Sequence, residues 1–175
     1  MAIARHERGV RADLQALLSQ IHPVFMLPPL AASWFGAVVA GEFAITVGAV
    51  HMAAMFFAVY TAHVKDGYID FHHRGEDDDH PLSATGCKAA LAGASAAFAV
   101  CLVAIGALVN VWAALLTLPV FVLAMGNHLV PVFSAWVNNS LGLQTSWWIQ
   151  LVLTSLVLFI PGRRFYQIGI PALFR

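Results

Sequence analysis

From Ala89 to Gly162 the chain carries no Lys, Arg, Asp or Glu. A soluble domain has roughly 25% charged residues, whereas this 175-residue chain has 10%, with 60% hydrophobic residues and a mean hydropathy of +0.77. A bilayer crossing takes about 20 apolar residues per helix, so the uncharged stretch alone has room for three. No water-soluble fold of this length hides so much apolar surface. The long unbroken apolar runs lack the alternation of a membrane β-barrel, and a helix satisfies its own backbone groups inside lipid. The sequence therefore predicts an all-α, polytopic transmembrane helical bundle. Its net charge is zero, so no global field draws nucleic acid.

The chain reads as a single transmembrane domain over 1–175. An amino-terminal interfacial segment, 1–22, has apolar positions at Val10, Leu14, Leu17 and Leu18 beside Arg5, Arg8 and Arg11. Pro23, Pro28 and Pro29 punctuate the start of a first span at 24–41, and a second follows at 43–64. After a polar loop, 65–85, come spans at 86–108 and 110–126 and a last strong one at 146–161, begun by Trp147 and Trp148. In span three, Gly86, Ala90, Gly93, Ala94 and Ala97 are small residues at helical spacing, which permits close helix contact. The excess of Lys and Arg on the cytoplasmic side places the amino terminus and the loop inside. Keeping Arg163 and Arg164 inside as well requires 127–145 to cross, giving six spans in the cell membrane.

The chemistry concentrates in the loop. Six of the nine acidic residues lie between Lys65 and Lys88, with His72, His73 and His80. Asp66 and Asp70 are four apart, on one face of a helix continuing out of the second span, with Cβ atoms about 6 Å apart. His63 precedes them by three residues and His73 follows Asp70 by three. Two adjacent carboxylates repel unless a cation sits between them, and Mg²⁺, which binds oxygen ligands together with substrate phosphates, is the natural one. Arg74 and Lys88 could clamp phosphate oxygens, although snorkelling at a span end explains Lys88 equally well. Glu76–Asp79 read equally as a solvated acidic run. A zinc site from His63, His72, His73 and His80 matches no standard spacing. Asn127 and His128, at a span end, are a second candidate substrate contact. Cys87 and Cys101 form no metal or redox motif and read as small packing residues.

The motif Asp66-x-x-x-Asp70, followed by His80-Pro81-Leu82-Ser83-Ala84-Thr85-Gly86 before the third span, resembles the UbiA superfamily of intramembrane aromatic prenyltransferases. Gln20-Ile21-His22-Pro23 looks like that family's basic-residue–proline start of span one. The resemblance implies a cavity capped by cytoplasmic loops, with Asp66 and Asp70 as catalytic and metal residues holding Mg²⁺. His63, Arg74, His80, Lys88, Asn127 and His128 become the substrate-binding set. The partners would be an isoprenyl diphosphate, a lipophilic acceptor and membrane lipid. The chain departs from the pattern at Ala62, His63 and His80, and no carboxylate side chain follows Asp79, where the family has a second aspartate-rich motif. The expectation is thus a Mg²⁺-dependent prenyltransferase completed by a carboxy-terminal portion or a second subunit. The alternatives are a non-catalytic membrane subunit or scaffold, or a cation-binding transporter.

Overall fold

The computed structural model describes residues 2–39 and 44–160 and, beyond these, residues 163, 167, 170 and 171. Expectations that rest on Glu42, Arg164 or Arg175 lie outside the described residues. Among those described, the structure is helical throughout, and its one extended pairing is an isolated antiparallel bridge between Ala4 and Leu82. The helices are α1 (Val10–Leu18), α2 (Pro23–Val39), α3 (Ile45–Ile69), α4 (Ala84–Leu108), α5 (Val111–Leu129), α6 (Pro131–Trp136) and α7 (Leu143–Phe159). A π-helical turn, Asp70–Arg74, prolongs α3, and another, Val137–Leu141, prolongs α6.

Among the described residues, two helices are long and apolar enough to cross a membrane: α3 with its π-turn, Ile45–Arg74, and α4, Ala84–Leu108. A third crossing exists only if the pair Ala114–Asn127 and Pro131–Leu141, bent by 102°, counts as one broken span. Pro23–Phe35 and Leu143–Phe159 are shorter apolar helices. The six-span expectation is therefore corrected to two or three. The physical reasons are that Pro23–Phe35 and Leu143–Phe159 are too short to cross by themselves, and that 127–145 does not form a straight span of its own. Proline at 131 supplies no N–H and keeps Val130 extended, at φ −121° and ψ 104°, so α5 stops and α6 starts in a new direction.

The chain folds as two compact units. The first comprises Met1–Ala31 and Ala54–Phe98, the second Ala32–Ala53 and Ala99–Arg175. In the first unit, α1 buries Ala12 and Ala16 and leaves Val10, Leu14 and Leu18 exposed. The Tyr60 hydroxyl of α3 donates at 3.0 Å to the Leu17 carbonyl, which also accepts from the Gln20 amide at 3.3 Å at the end of α1. Cys87, Ala90, Leu91, Ala94 and Ser95 form the buried stripe of α4. These mostly small side chains let neighbouring backbones come close. In the second unit α5 and α7 pack together. Asn110 caps α5, its side-chain oxygen accepting from the Trp112 amide at 2.9 Å.

Tyr60→Phe removes one hydrogen bond and little volume. It should lower stability by about 1 kcal/mol in reversible denaturant unfolding in detergent and speed amide exchange in the last turn of α1.

Candidate metal centre

The polar end of the first unit is organised by what happens to α3 after Ile69. An α-helix continued through Arg74 would set His63, Asp66, Asp70 and His73 on one stripe. The π-turn at Asp70–Arg74 instead widens the helix, and Gly75, at φ 67°, ends it in the left-handed conformation that glycine tolerates best. His63, Asp66 and Asp70 then line one cavity of about 600 Å³ with His22, Asp77 and His80. His73 is not part of that lining; it packs edge-on against Tyr68, ring centroids 4.9 Å apart. The His22 and His63 rings lie 4.3 Å apart. Arg74 turns to Asp70 at 3.3 Å and Glu76 at 3.8 Å, and does not line the cavity. Lys88 is exposed and outside that lining. Asn127 belongs to the second unit, on α5, where its buried Oδ1 has no hydrogen-bond partner among the described residues; the side chain of His128 lies outside the described residues.

His80 borders the cavity and also faces away from it. It is 5% exposed, its Nδ1 lies 3.9 Å from the buried Cys87 sulfur, and its ring centroid lies 5.9 Å from that of His72. His72, His80 and Cys87 each offer a ligand atom, all within 4.8 Å of one another. The Leu82 carbonyl sits 3.3 Å from His72 Nε2 and 3.2 Å from His80 Nδ1. The Leu82 N–H also donates to His80 Nδ1 at 3.2 Å, so the Leu82 peptide unit positions both imidazoles, and the His80 nitrogen that faces Cys87 is one that Leu82 contacts. The donor set is one thiol and two imidazoles. Thiolate selects Cu(I) and Zn²⁺, imidazole suits both, and Mg²⁺ wants oxygens. The trio fits a soft or borderline transition metal.

Reading the sequence alone missed this trio. Cys87, a packing residue by its sequence context, is a candidate ligand here, and His72 joins it. Spacings of eight and seven residues between His72, His80 and Cys87 match no compact metal pattern. The available signal was local: a histidine seven residues before a cysteine, with a turn-forming Pro-Leu-Ser between them.

A short extended segment holds this loop. Arg5 N–H donates to the Pro81 carbonyl at 2.9 Å and Ser83 N–H to the Ile3 carbonyl at 2.9 Å. Ser83 Oγ donates to the Ala2 carbonyl at 2.8 Å and accepts from the Gly86 amide at 2.9 Å. Arg5 and His6 both reach Asp79 Oδ1, at 2.8 and 2.9 Å, and the Arg5 guanidinium lies 4.3 Å from the centre of the Phe71 ring. Desolvation pushes the Asp79 carboxyl up. The hydrogen bonds from His6 and the His80 amide, with the charges of His6 and Arg5, outweigh it and hold the group below its ordinary value.

No protein-family model and no solved structure matches the chain. Over 62 residues it is 42% identical to Copper-transporting ATPase 1 of Rhizobium meliloti (strain 1021), a match covering 35% of this chain and 8% of that protein. Over 61 residues it is 38% identical to Copper-transporting ATPase 2 of the same organism, covering 35% of this chain and 7% of that protein. The chain thus spans less than a tenth of the length of these curated relatives. These similarities overturn the resemblance to the UbiA superfamily, and with it the prenyltransferase activity and the Mg²⁺ requirement. Two aspartates four apart are what any helix with a polar end presents, and such a short motif does not outweigh identity over 62 residues.

A carboxyl held low in the folded state contributes stability above its unfolded pKa and loses it as pH falls through the lowered folded value. The Arg5–Asp79 contact should therefore survive throughout the neutral range. Asp79 Cγ, followed by ¹³C NMR, should titrate below the ordinary value of about 3.9, and His6→Ala should move it back towards that value.

Proposed function

We propose that this chain is a transition-metal-binding part of a membrane cation-transport system, with a copper-like soft cation as cargo. His72, His80 and Cys87 are its ligands. The observation that carries the reading is the convergence of these three donors, with His80 and Cys87 buried, where the end of α3 and the start of α4 meet the loop between them. The similarity to two copper-transporting ATPases supports it. The alternative foreseen from sequence, a cation-binding transporter, is the one this reading takes up.

In this reading Asp66, Asp70 and His63 act before the soft site. They line the open cavity whose wall includes His80. Clustered carboxylates raise the local cation concentration and the rate of encounter. The cation then exchanges water and oxygen contacts for sulfur and imidazole on the far side of His80. Ligation requires the Cys87 thiolate, so uptake releases a proton.

The test is anaerobic Cu(I) titration of the full chain in detergent against a chromophoric chelator. The wild type should bind one Cu(I). Cys87→Ser, His80→Ala and His72→Ala should each weaken binding by more than the roughly 10–100-fold typical of losing an outer-shell partner. Wild-type affinity in all three variants sinks the assignment. Titration with Zn²⁺ and with Mg²⁺ separates soft from hard preference, and Mg²⁺ should not compete.

Asp66→Asn with Asp70→Asn should affect rate rather than equilibrium. Stopped-flow association should slow by about tenfold at low salt, with the difference shrinking as salt rises and dissociation unchanged. An equal loss on the dissociation side would make the aspartates ligands instead.

A further inference from the structure

We propose that the amino-terminal segment Ala2–His6 is a working part of the metal centre: a strap that positions His80, so that strap docking and metal occupancy are coupled. The proposal rests on the metal site assigned above and adds its positioning element.

The strap joins the ligand-bearing loop on both sides of Leu82. Arg5 N–H bonds the Pro81 carbonyl, Ser83 N–H bonds the Ile3 carbonyl, and Ala4 pairs with Leu82. Leu82 is fully buried, and its carbonyl is the group that both candidate imidazoles approach. The strap therefore fixes the backbone unit that orients His72 and His80. Asp79, the residue before His80, is held by Arg5 and His6, and its Oδ1 also accepts from the His80 amide at 2.8 Å. Arg5 lies over Phe71, whose ring stacks on His80 with centroids 5.9 Å apart. His80 is thus constrained through its own backbone, through the carbonyl beside its ring and through the aromatic face above it.

Two features show how the strap is seated without touching a ligand. The Asp13 carboxylate of α1 accepts from both the Ile3 and the Ala4 amides through Oδ1, at 3.0 and 2.8 Å. At the start of α4, one residue before Cys87, a Cβ on Gly86 would stand 2.2 Å from the Ile3 carbonyl oxygen, so the strap backbone lies where no side chain fits. A substitution at either position loosens the strap and leaves all three donors in place.

Outer-shell groups that orient metal ligands change affinity by roughly 10–100-fold when lost. Coupling is reciprocal: if docking favours the bound metal, the metal must favour docking to the same extent. In the full chain in detergent, Cu(I) should slow hydrogen exchange at the Arg5 and Ser83 amides. Asp13→Ala and Gly86→Ala should speed exchange at Arg5 and Ser83 in the metal-free protein and weaken Cu(I) about tenfold. X-ray absorption should still show mixed sulfur and nitrogen ligation. Asp13→Asn, which keeps an acceptor oxygen, should restore most of the affinity. A strap released in either variant with wild-type Cu(I) affinity overturns the proposal and leaves the metal site standing. A strap that stays docked in both variants overturns the anchoring assigned to Asp13 and Gly86. No Cu(I) binding by the wild type overturns the metal site and this inference together.

Discussion

At Gly86 the backbone of Ile3 comes closer than any side chain permits, and the organisation of the first unit's polar end follows from that contact. It lets an extended segment lie along the start of α4 while pairing with residues 81–83 of the loop. The pairing turns a loop rich in acids, which would otherwise stay open through self-repulsion, into one with its backbone groups satisfied. Only then are His80 and Leu82 buried and Cys87 within reach. Ser83 serves both ends of the arrangement, capping α4 through the Gly86 amide and tying down Ala2. A second close approach acts with the first. At Gly67 a Cβ would stand 2.7 Å from His80 Nε2, so the absence of a side chain on α3 gives the imidazole its place.

Much of this was legible in the sequence, and the limits are physical. Helical, membrane-directed architecture followed from the uncharged stretch 89–162, because burying apolar surface without charge leaves few other solutions. The helical spacing of Val10, Leu14 and Leu18 in α1 followed from period alone. So did the shared placement of His63, Asp66 and Asp70, because three- and four-residue spacing on one helix is a local property. His73 broke that stripe because the π-turn adds backbone within one turn, and no residue pattern in Asp-Phe-His-His-Arg announces it. The number of spans failed where apolar runs formed helices too short to cross, at Pro23–Phe35 and Leu143–Phe159, and at Val130–Pro131, where two expected spans are at most one broken by a 102° bend.

The candidate metal trio was illegible for a different reason. Its members come from the end of α3, the loop and the start of α4, and they meet only because residues from the far amino terminus hold the loop in register. The partners in those contacts are up to 81 positions apart in sequence. A reading based on spacing sees local geometry and is blind to such closure. The same blindness made the Asp66–Asp70 motif persuasive: it was a correct statement about one face of a helix, and it carried no information about which cation that face meets.

Under the proposed role in cation transport, the two donor sets on either side of His80 suit a cation in transit better than a cation at rest. The cavity presents carboxylates and open space, where a hydrated ion keeps most of its water and binds loosely. The buried side presents sulfur and imidazole next to Leu82 and Phe71, where a hard, strongly hydrated ion would lose water without gaining matching ligands. Attraction on the first side depends on charge, and retention on the second depends on softness. An imidazole belonging to both walls shortens the step between them. Its freedom to serve both is limited by the Leu82 carbonyl, and so in the end by the strap that holds Leu82 in place.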